Sequence, residues 1–112
     1  MMTVLHSTED LNDALAKSHE HPIVLFKHSA TCPFSARAQE QVAEAKHDAD
    51  IYCMVVQYDK PMSEAIAERT GVEHASPQAI VVDKGEAVWH GWRGDIQRDT
   101  ILRLVAKAPA KS

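Results

Sequence analysis

Ile23-Val24-Leu25-Phe26-Lys27-His28-Ser29-Ala30-Thr31-Cys32-Pro33-Phe34-Ser35 joins an unbroken apolar run to the start of a helical pattern, with a cysteine at the junction. Four consecutive apolar residues, Ile23 to Phe26, read as a strand buried on both faces. Pro33 suits the first turn of a helix, and Phe34, Ala38, Val42 and Ala45 fall on one stripe out to about Lys46. A thiol between such a strand and such a helix meets free backbone N–H groups and the positive end of a helix dipole, which favour the thiolate. The fourth position of the Cys-x-x-x turn is a hydroxyl, Ser35, so the motif supplies one nucleophile and no adjacent sulfur to resolve it.

Working outward, Ile51 to Val56 forms a second apolar run, and a helix between two such runs implies a parallel, right-handed crossover. On the N-terminal side, Val4 to His6 is a short edge strand. Ser7 then caps a helix from Thr8 to Ser18 that His21-Pro22 ends. On the C-terminal side, Asp59-Lys60-Pro61 opens a helix with Met62, Ala65 and Ile66 inside, closed by Gly71. Ser76-Pro77 leads into a strand from Gln78 to Val82, and a three-residue turn Asp83-Lys84-Gly85 returns the chain as Glu86 to His90. Asp95 caps a last helix holding Ile96, Ile101, Leu104 and Val105. Trp89 and Trp92 are expected to pack the hairpin end against that helix.

The order βαβαβαββα, α/β in class, looks like the thioredoxin-like fold: a central mixed sheet of four to five strands flanked by four helices. At 112 residues the chain fits one domain, expected over residues 1–106 with a flexible C-terminal tail at 107–112. The net charge of −4, with Lys and Arg scattered singly, lacks the basic stripe that nucleic acid requires. No stretch approaches the ~18 apolar residues of a membrane span, and the N-terminus has no secretory pattern, so a cytoplasmic protein is expected. Two cysteines are too few for a disulfide scaffold, and Cys53, inside an apolar strand, reads as inert core. The seven histidines are dispersed without ligand spacing, and no metal site is expected.

The stretch from Val24 to Ser35, with its Thr-Cys-Pro-x-Ser site, resembles the monothiol bacilliredoxins of the bacillithiol system, and the likeness continues through Val55 to Asp59 and Ser76-Pro77-Gln78-Ala79. The resemblance implies a thiol–disulfide oxidoreductase that removes bacillithiol from protein mixed disulfides. Cys32 would attack, and Thr31, Pro33, Phe34, Ser76 and Pro77 would line the substrate side, with Pro77 in the cis form common to that superfamily. Bacillithiol would serve as thiol co-substrate with no bound cofactor, and the partners would be S-bacillithiolated clients and a recycling reductase. Dithiol thioredoxins carry Trp, Gly and a buried acid where this chain has Thr31, Pro33 and Phe26, which points away from reduction of arbitrary disulfides.

From the residues themselves, Cys32 becomes a competent nucleophile if its pKa falls below ~8.5, through the N–H groups of Ser35 and Ala36, the helix dipole, and Lys27 or His28. The Ser35 hydroxyl could donate a hydrogen bond to the sulfur. Two alternatives stay open at this point: a glutathione-dependent monothiol glutaredoxin, and an iron–sulfur carrier or non-catalytic adaptor using Cys32 as a ligand.

Overall fold

Alternation along a doubly buried strand decides what lies on either side of this sheet. The computed structural model describes residues 2–30, 33–46 and 48–107; Thr31, Cys32, His47 and the tail at 108–112 lie outside the described residues. In chain order the elements are β1 (Met2–Val4), α1 (Thr8–Lys17), β2 (Ile23–His28), α2 (Pro33–Ala45), β3 (Asp50–Val55), α3 (Lys60–Thr70), β4 (Gln78–Asp83), β5 (Glu86–Trp92), a 3-10 turn (Arg93–Asp95) and α4 (Arg98–Lys107). The sheet order is β1-β3-β2-β4-β5. β1, β3 and β2 run parallel, and β4 and β5 are antiparallel additions. This is the thioredoxin-like arrangement, α/β, with a five-stranded mixed sheet and four helices.

Central β2 sends Ile23 and Leu25 to one face, against Leu11 and Leu15 of α1 and Met62 and Ile66 of α3. It sends Val24 and Phe26 to the other, against Ala38, Val42 and Ala45 of α2 and Ile101 and Val105 of α4. Two cores on one strand explain why Ile23 to Phe26 shows no polar alternation. The next two residues keep the pattern with polar side chains. Lys27 reaches His74 Nδ1 at 3.2 Å on the α3 side, and His28 reaches Ser35 Oγ at 2.8 Å on the α2 side.

Several element ends differ from the sequence expectation, each for a local reason. The first strand is Met2–Val4, earlier than expected, because its register against β3 pairs Met2 with Ile51 and Val4 with Cys53. The hairpin turn has two residues, Lys84 and Gly85, with φ of 54° and 80°, the pair of left-handed conformations that suits the twist of a hairpin. Ser18 holds that turn to the end of α1, accepting from Lys84 N–H and Gly85 N–H at its carbonyl and hydroxyl. Asp95 closes the 3-10 turn by accepting from Trp92 N–H, so α4 starts later, at Arg98. On the third helix the expectation holds: Asp59 accepts from Met62 N–H, and Gly71 ends it at φ 72°. In β5, Val88 is an extra residue: Val81 pairs with Trp89 but Val82 with Ala87.

Lys27 is fully buried, and burial lowers its pKa to about 8. Between pH 8 and 10.5 the unfolded chain therefore holds a proton that the folded chain releases, so stability rises with pH across that window, and the cost of burying the ammonium is fully present below it. We predict that Lys27→Met, which keeps volume and leaves His74 Nδ1 its second neighbour Ser63 Oγ at 2.9 Å, stabilises the protein at pH 7 by on the order of 2–3 kcal/mol. Urea unfolding at several pH values should show the gain over wild type shrinking toward pH 10.5. A gain that does not change with pH would refute the assignment to the ammonium.

Candidate functional site

The first turn of α2 carries its chemistry on Ser35, which is fully buried although the residue beside it, Phe34, is 52% exposed. The inward stripe of the helix is thus Ser35, Ala38, Val42 and Ala45, with a serine where the sequence pattern suggested Phe34. Its hydroxyl is matched on both sides. It accepts from Ser29 N–H at 2.8 Å and lies 2.8 Å from His28 Nδ1. Burial lowers the pKa of His28, and in the neutral ring the tautomer sets which of Ser35 Oγ and Nδ1 donates. With Nδ1 protonated, Ser35 accepts from both Ser29 N–H and His28 and its own proton is available to a further acceptor; with Nδ1 bare, that proton goes to His28.

The loop leading to Thr31 is held from the other side by Gln57, just past β3. Its amide oxygen accepts from Ala30 N–H at 3.0 Å and its nitrogen donates to Ser29 Oγ at 2.8 Å. Ser35 and Gln57 between them satisfy the backbone N–H groups of the two residues that precede Thr31. Lys27, one of two groups expected to act on the thiol, points to the opposite face of the sheet from α2; His28 is the one that shares the α2 face.

Ser76 and Pro77, joined by a cis peptide bond, stand at the entry to β4. Pro77 is buried and its carbonyl accepts from Arg93 N–H at 3.3 Å, while the Ser76 carbonyl lies 3.4 Å from the indole N–H of Trp92. Arg93 connects this loop to α2, since its guanidinium carbon lies 4.8 Å from the Phe34 ring centre and 4.2 Å from that of Trp92. The structure thus brings together Phe34, Ser76 and Pro77 from the expected set, with Pro33 exposed beside Phe34 at the head of α2. Thr31 and Cys32 lie outside the described residues. Trp92, expected to pack against the last helix, is instead 45% exposed beside Ser76; only Trp89 packs into the α2–α4 core. Sequence reading missed Gln57 and Arg93. In the turn Arg93-Gly94-Asp95 the left-handed residue is Arg93, at φ 51°, and not the glycine.

Residues 3–101 match the family described as monothiol bacilliredoxin BrxC. The chain belongs to that family. It is a monothiol thiol–disulfide oxidoreductase, and the matched span includes both Cys32 and Pro77. Among solved structures, one described as a proposed oxidoreductase with a thioredoxin fold is 33% identical, with a TM-score of 0.82 and 91% of each chain covered. The thioredoxin of Fasciola hepatica is 16% identical, at TM-score 0.73 over 95% of this chain and 98% of its own. A mutant thioredoxin from Halobacterium salinarum is 15% identical, at TM-score 0.73 over 93% and 87%. These last two share the fold; the bacilliredoxin match carries the chemistry.

Removing the Ser35 hydroxyl leaves the Ser29 N–H without its acceptor and His28 Nδ1 without its partner in a buried site. We expect Ser35→Ala to cost about 1–3 kcal/mol, read as a lower midpoint of urea unfolding. It should also speed hydrogen exchange at the Ser29 amide. An unchanged midpoint with unchanged exchange would refute the structural role of this hydroxyl.

Proposed function

We propose that the chain releases bacillithiol from protein mixed disulfides, with Cys32 as the attacking sulfur. The observation that carries the reading is Ser35: a buried hydroxyl, already hydrogen-bonded, occupies the position where a dithiol enzyme has its resolving sulfur. Cys53 is a poor substitute. It sits on β3 with its pKa raised by burial, which disfavours the thiolate.

The exchange has two balanced steps. In the first, the Cys32 thiolate attacks the bacillithiol sulfur of the client disulfide. A Cys32–bacillithiol disulfide forms, the client S–S bond breaks, and the client thiolate leaves and takes up a proton from water. In the second, a free bacillithiol thiolate, or the thiol of a recycling reductase, attacks the bacillithiol sulfur on Cys32 and frees the Cys32 thiolate, the released disulfide carrying the two electrons' worth of oxidation. Attack at the bacillithiol sulfur in the first step follows from the absence of a neighbouring thiol that would rescue a Cys32–client adduct. Such a cycle suits the cytoplasm, where a thiol pool is kept reduced. No helix among the described residues is long and apolar enough to cross a membrane.

We predict that mass spectrometry of the protein after reaction with a bacillithiolated client, with no free thiol or reductase added, finds a single bacillithiol on Cys32 and none on Cys53. Cys32→Ser should abolish release from a bacillithiolated client, and parallel assays with a glutathionylated client measure the preference between the two thiols. Equal release by wild type and Cys32→Ser would overturn the reading. Faster release of glutathione than of bacillithiol would reassign the co-substrate.

A further inference from the structure

Arg93 is an exposed cation on an aromatic surface beside the Ser76–Pro77 loop, and its backbone is held in an unusual conformation. Its φ of 51° belongs to the left-handed region that costs a side-chain-bearing residue and suits glycine, while Gly94, the next residue, does not adopt a positive φ. The conformation is sustained by the bond from Arg93 N–H to the Pro77 carbonyl and by the Trp92 and Phe34 rings beside the guanidinium. Such outliers concentrate at ligand sites, where surrounding structure enforces them.

The guanidinium has no hydrogen-bond acceptor or ion-pair partner among the described residues. Two other arginines do: Arg98 pairs with Asp99 at 3.0 Å, and Arg69 binds Asn12. The acid nearest in sequence, Asp95, is occupied by the Trp92 backbone N–H at 3.2 Å. Ring contacts engage the π surface of a guanidinium and leave its N–H edge, a fork that matches both oxygens of a carboxylate. Phe34 and Trp92, both about half exposed, offer apolar area for the rest of a small molecule. Phe34 is also only two residues beyond Cys32 in the chain.

We propose that Arg93, seated on Phe34 and Trp92, is a carboxylate-binding subsite that selects acidic low-molecular-weight thiols as the group removed from the client. The proposal rests on the reading of Cys32 as the nucleophile for such groups. It makes Arg93 a specificity residue: the carboxylate is gripped while the disulfide it is attached to is presented to the sulfur.

The test compares one client capped with mercaptosuccinate, which carries two carboxylates, and the same client capped with neutral 2-mercaptoethanol. Wild type should favour the acidic cap by about tenfold in kcat/KM. In Arg93→Gln, which keeps a side chain at the same strained backbone position, that ratio should fall toward one, and Arg93→Lys should keep part of it. An independent arm titrates non-reacting (methylthio)succinate into 15N-labelled wild type. The Arg93 Nε–H signal should shift and saturate, and 2-(methylthio)ethanol should leave it in place. A wild-type ratio near one, a ratio unaltered in Arg93→Gln, or an unmoved Nε–H signal would overturn the subsite. If no cap is released by wild type, the proposed catalysis fails instead, and the titration still decides whether Arg93 binds carboxylates.

Discussion

The Ser35 hydroxyl, sealed between the Ser29 backbone and the His28 imidazole, is the interaction on which the architecture of the reacting end depends. It welds the end of the central strand to the first turn of the helix and fixes the rotation of α2 about its axis. With Ser35 inward, Ala38, Val42 and Ala45 follow into the core and Phe34 is turned out toward Arg93. A buried hydroxyl without partners would cost about 1–3 kcal/mol; with two partners it gives the helix a single setting against the sheet. The same atom that stands where a second sulfur would be therefore also sets the aromatic ring that faces Arg93.

The polar pair at the end of β2 shows how one strand serves two purposes. Alternation places Lys27 under His74 and Ser63 on one side of the sheet, and His28 against Ser35 on the other. His74 belongs to the segment that leads to Pro77, so both loops at this end of the molecule are tied to adjacent residues of the same strand. Burial lowers the pKa of both Lys27 and His28; Lys27, at about 8, is still an ammonium at pH 7, but on the face of the sheet away from α2. Arg93, whose guanidinium stays charged at any working pH, lies outside that buried region.

Much of this arrangement is legible in the chain. Ile23 to Phe26 and Ile51 to Val56 are apolar without interruption because both faces of the inner strands are covered, and the helix between them leaves only a parallel crossover. Asp59 and Gly71 mark the ends of α3 because a side-chain acceptor and a left-handed residue are needed there whatever the tertiary context. The phase of α2 was not legible, since hydrophobicity ranks Phe34 above Ser35 and only the fold supplies the two partners that make burying the serine tolerable. The role of Arg93 was hidden for a similar reason: a glycine beside it is the obvious candidate for positive φ, and the contacts that hold the arginine there come from Phe34 and Pro77, far away in sequence. Trp92 was misassigned because aromatic content says nothing about which side of a strand faces solvent.

The extra residue in β5 has a further consequence, one of parity. Ala87 leans into the α1–α3 core and Trp89 into the α2–α4 core although they are two positions apart, a separation that in an uninterrupted strand would put both on one face. Val88 performs the inversion. Were it excised, Ala87 and Trp89 would become neighbours on opposite faces, each still opposite its present partner, Val82 and Val81, and the ladder would run on in regular alternation. The bulge is thus a place where chain length can change by one with both cores kept, so loss of the exposed Val88 would be milder than truncation of Trp89, which packs into the α2–α4 core.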